Sequence, residues 1–228
     1  MLLSAHENLG ESWFWLGELS LAHAQFAQAL ALADPQQPRY PWAWIDLVAA
    51  CRSYMAWTLW LLGYPDQALT RSQEALTRAQ ELAHPFTLAF ALDHVAMLHQ
   101  HRREGPAVHK LAEAQVTLAT EQGFPNWLAW GTIFRGWALA EQGQGEEGIV
   151  QIRQGMAACR AAGAEIAWPY ILALLAEVHG KVGQVEEGLS VLAEALATAD
   201  KTEGRHYEAE LYRLKGELLL AQADKLRD

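Results

Sequence analysis

Cysteine is scarce in this chain: 228 residues hold two, Cys51 and Cys159. Two are too few for a disulfide framework, which points to a reducing, cytoplasmic setting. Positive charge is also short, with 17 Lys and Arg against 27 Asp and Glu and a net charge of -10. That balance is the reverse of a nucleic-acid footprint. No apolar run reaches the ~20 residues of a membrane span. The longest candidate, 47–62, is broken by Arg52 and Ser53. No basic segment precedes a long apolar stretch at the amino terminus, so no signal peptide is expected. Alternating β-branched runs are missing, which excludes a strand-rich fold. A G-x-x-x-x-G-K-[ST] loop is missing too, so nothing cradles a nucleotide phosphate. These absences leave a protein expected to be soluble and cytoplasmic, with neither nucleic acid nor membrane as partner and no cofactor.

What is present is helix-forming. Apolar residues make up 51% of the chain, and Ala, Leu, Glu, Gln and Arg dominate. Prolines and glycines recur at even intervals, at Pro65, Pro85, Pro106, Pro125, Gly143, Gly163 and Gly183, where they start and stop helices. The segments ending in Gly17, Gly63, Gly143 and Gly183 serve as landmarks for a repeat. Five residues after each comes a small residue, Ala22, Ala68, Gly148 and Gly188. Phe26, Ser72, Ile152 and Leu192 follow four later, then Ala29, Ala75, Gly155 and Ala195. A fifth copy reads Ala107, Leu111, Ala114, with Arg102 in the glycine's place, so the small-residue column steps by 46, 39, 41 and 40. Positions i, i+4 and i+7 share one helix face, and small residues there let paired helices approach closely.

The expected architecture is all-α: one α-solenoid over 1–228, with repeats near 1–34, 42–84, 85–123, 125–163 and 165–201 and a terminal helix over 204–224. The helix pairs fall near 3–17/20–33, 42–62/66–83, 86–103/107–121, 126–142/146–162 and 166–182/186–200. The proline-rich stretch 34–41 is the one real loop. No point is expected to divide the chain, because each hairpin buries its face against the next.

The Leu-Gly turn followed by Ala, a bulky residue and Ala resembles the tetratricopeptide repeat. Periods near 40 exceed that family's ~34 and approach HEAT repeats; the turn and the Ala columns favour an extended tetratricopeptide repeat, with the first helix of each pair a turn or two longer. The resemblance implies a right-handed superhelix. Three segments, LLGYPDQALTRSQEALTRAQELAHPFTLAFAL at 61–92, WLAWGTIFRGWALAEQGQGEEG at 127–148 and HYEAELYRLKGELLL at 206–220, resemble the carboxy-terminal repeats of large bacterial regulators. Those regulators join a class III adenylate/guanylate cyclase or a DNA-binding domain to a signal-transduction ATPase. The resemblance implies a sensor or scaffold region. It carries over no catalytic residue.

Few residues point to chemistry. His94, His99, His101 and His109 are close in sequence, but none matches H-E-x-x-H; a metal-dependent enzyme built on 94–109 is the alternative reading. Cys51 and Cys159 read as buried packing residues. Glu146-Glu147 and Glu186-Glu187 begin second helices, where negative charge complements the helix dipole.

The ten tryptophans, all in first helices, are the unusual feature. First helices line the groove of a tetratricopeptide superhelix. Counting from the landmark glycine places Glu11 and Phe14, Trp57 and Trp60, Ala96 and His99, Trp137 and Ala140, and Glu177 and Gly180 at groove positions. Trp57, Trp60 and Trp137 read equally as groove aromatics or as filling between repeats, whereas Trp13 and Trp127 read as filling. The candidate groove is therefore Phe14, Trp57, Trp60, His99, Arg103, Trp137 and Glu177. Its expected occupant is a protein or peptide segment, from an ATPase or cyclase domain for instance, or a small effector. Self-association into a homodimer is a further alternative.

Overall fold

The computed structural model describes every residue except 35–42, 162, 164–166, 226 and 228. The expected loop at 34–41 therefore lies almost wholly outside the described residues, as does Trp42. Among the described residues the chain forms eleven α-helices and no strand: α1 (Leu2–Trp15), α2 (Leu19–Ala31), α3 (Leu47–Leu61), α4 (Pro65–Glu81), α5 (Pro85–His101), α6 (Gly105–Gln122), α7 (Pro125–Glu141), α8 (Gly145–Ala161), α9 (Trp168–Lys181), α10 (Val185–Thr202) and α11 (Glu208–Lys225). None of them is long and apolar enough to cross a membrane.

The helix boundaries reveal a simpler rule than the small-residue column. From Gly63 onward, backbone φ turns positive once every twenty residues, at Gly63, Ala83, Arg103, Gly123, Gly143, Gly163, Gly183 and Glu203, whereas Gly17, also at positive φ, stands 46 residues before Gly63 and outside this spacing. Each of these residues follows a helix and takes the left-handed conformation that ends it. After the odd helices the same closing bond recurs: the N–H groups of Tyr64, Glu104, Gln144 and Gln184 donate to the carbonyls of Leu59, His99, Leu139 and His179 at 2.9–3.0 Å. The repeat is therefore two half-repeats of equal length. The extra residues relative to a 34-residue repeat are shared by both helices, not added to the first one alone.

That rule corrects the third copy by one residue. Arg103, not Arg102, occupies the landmark position. The buried column then runs Ala68, Val108, Gly148, Gly188, and its companions are Ala112 and Gln115. Ala114, expected inside, is exposed, while Gln115 is fully buried and donates to Asp93 Oδ1 at 2.9 Å. The second first-helix also starts later than expected, at Leu47. Asp46 caps it by accepting the Ala49 N–H at 2.8 Å, and Arg78 holds that carboxylate through two bonds of 2.6 and 2.9 Å.

The helices group into two compact units, Met1–Gly123 and Phe124–Asp228. In the first unit α3 buries every residue of 47–59 except Arg52. In the second, α9 buries all of 168–179. A helix that is apolar all round belongs inside, and each Leu, Ile or Phe so buried contributes about 1.5–3 kcal/mol. Small residues set the spacing of α7 against α8, since a Cβ on Gly148 would stand 2.5 Å from the Gly136 carbonyl oxygen. Cys51 and Cys159 are both buried, as expected, and burial pushes the Cys51 thiol far up.

Candidate ligand groove

The interior of the first unit claims two of the candidate groove residues. Phe14 and Trp57 are each 2% exposed, and their rings lie 5.8 Å apart. Trp57 donates its indole N–H to the His94 carbonyl at 2.8 Å and stacks on the His94 ring at 3.9 Å and 2°. Phe90 covers the other face of that imidazole at 3.8 Å. Beside them the Tyr54 hydroxyl donates to Glu11 Oε1 at 2.7 Å. Indole N–H groups and phenols in an interior need partners, and here the core supplies them. Both residues are thus corrected from groove to core.

His94 is accordingly a core residue. Burial drives its pKa down to about 3, with its bond to the Phe90 carbonyl opposing the shift. The ring is neutral: Nδ1–H donates to the Phe90 carbonyl at 3.0 Å, and Nε2 is buried without a hydrogen-bond partner. Among the described residues no three His, Cys, Asp or Glu side chains are placed to hold a metal ion.

Three of the seven candidates stay near the surface, all at the ends of α3 and α5. Trp60 is half-buried, and its ring lies parallel to that of His101 at 6.3 Å and 10°. His99 Nδ1–H donates to Glu104 Oε2 at 2.5 Å, and Arg102 Nε donates to the other oxygen of that carboxylate at 2.9 Å. The Arg102 bond and, after it, the His99 bond hold Glu104 below the usual carboxylate range. Arg103 follows, exposed, at φ 61°. A non-glycine residue there is strained. An indole, an imidazole platform and an arginine pair therefore share one edge.

In the second unit, Trp137 is fully buried and corrected in the same way. Its indole N–H donates to Glu177 Oε2 at 3.1 Å, and Glu177 Oε1 pairs with Lys181 at the same distance. Lys181 also pairs with Glu141 and stands 5.5 Å from the Trp137 ring centre. Glu177 is 9% exposed, tied into this network rather than open to a ligand. Nothing in the small-residue pattern marks Glu104 and Lys181 as partners of these residues, or pairs His101 with Trp60. A 40-residue register would have aligned His99-to-Glu104 with the matching bond from His179 Nδ1–H to Gln184 Oε1 at 2.7 Å.

No family model matches the chain. An uncharacterised protein of Rhizobium meliloti (strain 1021) is 24% identical over 174 residues, which is 76% of this chain and 17% of that protein. The chain thus spans less than a fifth of that relative. Solved structures share the fold. A Rap protein complexed with Competence and Sporulation Factor matches 97% of this chain and 65% of its own, at 13% identity and TM-score 0.63. A thermophilic TPR protein of Thermus thermophilus matches 96% and 99%, at 22% and 0.55. Aspartyl phosphate phosphatase F of Bacillus subtilis matches 95% and 55%, at 15% and 0.58. These likenesses establish a tetratricopeptide-like helical repeat fold.

Proposed function

We propose that this chain is a non-catalytic binding module, the sensor or scaffold arm of a bacterial cytoplasmic signalling or transcription-regulatory system. Its ligand is a protein or peptide segment, contributed by an ATPase or nucleotide cyclase domain. The observation that carries the reading is the edge where half-buried Trp60 lies over His101 beside Arg102 and Arg103. In a chain of net charge -10, this half-buried indole beside an imidazole suits a segment with an aromatic residue. The neighbouring arginines, of which Arg102 is already paired with Glu104, favour an acidic residue next to it. Aromatic and arginine side chains dominate binding hot spots. The repeat fold shared with the Rap protein complexed with Competence and Sporulation Factor supports a ligand-holding role.

The test is a fluorescence titration with a short peptide alternating Glu and Phe. Wild type should bind saturably, and Trp60→Ala should weaken binding about ten-fold or more, since a hot-spot truncation costs ~2 kcal/mol. Helical circular dichroism should be unchanged. Undiminished binding by Trp60→Ala would end this assignment.

Self-association is a second reading that one observation favours. Leu2, Leu9 and Leu16 are 68%, 48% and 42% exposed along one side of α1 and its cap. Residues seven apart share a helix face, so the three leucines line one side of α1 and its cap. Light scattering at two concentrations distinguishes the readings.

A further inference from the structure

A cavity of about 580 Å³ lies between α2 and α4, floored by α3. The floor is apolar, built by Val48, Met55 and Leu59, and Ala27 and Leu30 of α2 continue it. Three arginines, Arg52, Arg71 and Arg78, dominate the polar remainder, which His23, Asp34 and Gln67 complete.

Arginine at these positions is not a requirement of the fold. In the 40-residue register, Arg71 corresponds to Leu111, Gln151 and Val191, and Arg78 to Leu118, Ala158 and Thr198. Arg52 corresponds to Leu92, Thr132 and Leu172. The other repeats fill the same positions without a single charge.

The arginines are also unequally satisfied. Arg78 forms a two-point pair with buried Asp46 and serves the α3 cap. Arg52 and Arg71 share one carboxylate, that of Glu74. Arg71 Nη1 donates to it at 2.8 Å, while Arg52 Nε stands 3.5 Å away, buried and without a hydrogen bond. A guanidinium carries five N–H donors in a planar fork matched to a carboxylate. Two such forks with one hydrogen bond between them leave donors for a second carboxylate. The buried Arg52 Nε, lacking a partner, is a donor that a ligand oxygen satisfies.

We infer that this cavity is a binding site for a small amphiphilic carboxylate, whose head is held by Arg52 and Arg71 and whose apolar body lies along Met55, Leu59 and Leu30. Its volume is within the range of small-molecule sites, and apolar walls with a few convergent polar groups are their usual composition. The site is independent of the Trp60 edge and extends the proposed function by a second, small-molecule ligand.

Calorimetric titration of the full chain with decanoate, and with decanol as its uncharged match, tests the inference. Decanoate should bind with one-to-one stoichiometry, and decanol about ten-fold more weakly or worse, because it makes no charge-assisted hydrogen bond to the arginines. Arg71→Gln, at a half-buried position of α4, should weaken decanoate about ten-fold and leave decanol unchanged. Ala27→Trp, which fills the apolar side without touching a charge, should remove binding of both. Trp60→Ala should bind decanoate as wild type does. Equal affinity for decanol and decanoate, an Arg71→Gln variant that binds normally, or no saturable binding would each overturn the inference.

Discussion

At the scale of single residues the interior of the first unit is unusual for its buried ionisable groups. Glu7 is 7% exposed, and its pKa is pushed up to about 7, first by loss of solvent and then by the charge of Glu11. Asp93 is pushed up to about 7 by burial, with the Gln115 bond opposing. Both carboxyls keep a proton in the folded chain that the unfolded chain releases nearer pH 4. Their contribution to stability therefore falls as pH rises from about 4 to 7. His94, with its pKa lowered, acts in the opposite sense: stability grows as pH rises from about 3 toward 6.5. Substituting Glu7 by Gln removes one of these contributions and leaves the others in place. The difference in unfolding free energy between Glu7→Gln and wild type should move in the variant's favour by up to about 3 kcal/mol between pH 4 and pH 8. Urea unfolding at pH 4, 6 and 8 checks this; a difference constant with pH would show that Glu7 ionises normally.

Element packing turns on register. A half-repeat of twenty residues fixes which face of each second helix points inward. A slip of one residue, as between Ala107 and Val108, rotates the assignment by about 100°. Val108 and Ala112 are buried completely, while Ala114 is exposed. Ala112→Trp should thus destabilise by about 1–3 kcal/mol or more through overpacking, and Ala114→Trp should stay within about 0.5 kcal/mol of wild type. Thermal melts of the two variants side by side decide it. The reverse order would restore the register read from spacing alone.

For the whole molecule the consequence is local stability. Each compact unit holds its own buried helices, and repeat arrays spread a perturbation mainly to neighbours. Gly148→Leu forces a side chain against the Gly136 carbonyl, where even a Cβ would stand 2.5 Å away. Native-state hydrogen exchange should then show protection falling across Phe124–Asp228 and changing less across Met1–Gly123. Equal loss in both would mean that the chain opens as one cooperative block.

Composition, the helix formers and the regular Pro and Gly punctuation determined on their own that the chain is all-α and built of paired helices; its tetratricopeptide likeness came from the resemblance of its Leu-Gly turns and Ala columns to that repeat. That is local information: where a helix starts and stops is written in its caps and turns. Tertiary structure alone decided which aromatic residues are core. Trp57, Trp60 and Trp137 are chemically identical and similarly spaced, yet two are sealed by partners 37 and 40 residues away, His94 and Glu177. Burial depends on what packs opposite, and a one-dimensional pattern does not record that. The left-handed residues at Ala83, Arg103 and Glu203 were hidden for a related reason. Glycine advertises that conformation, but a non-glycine residue adopts it only because the helices on either side require the turn.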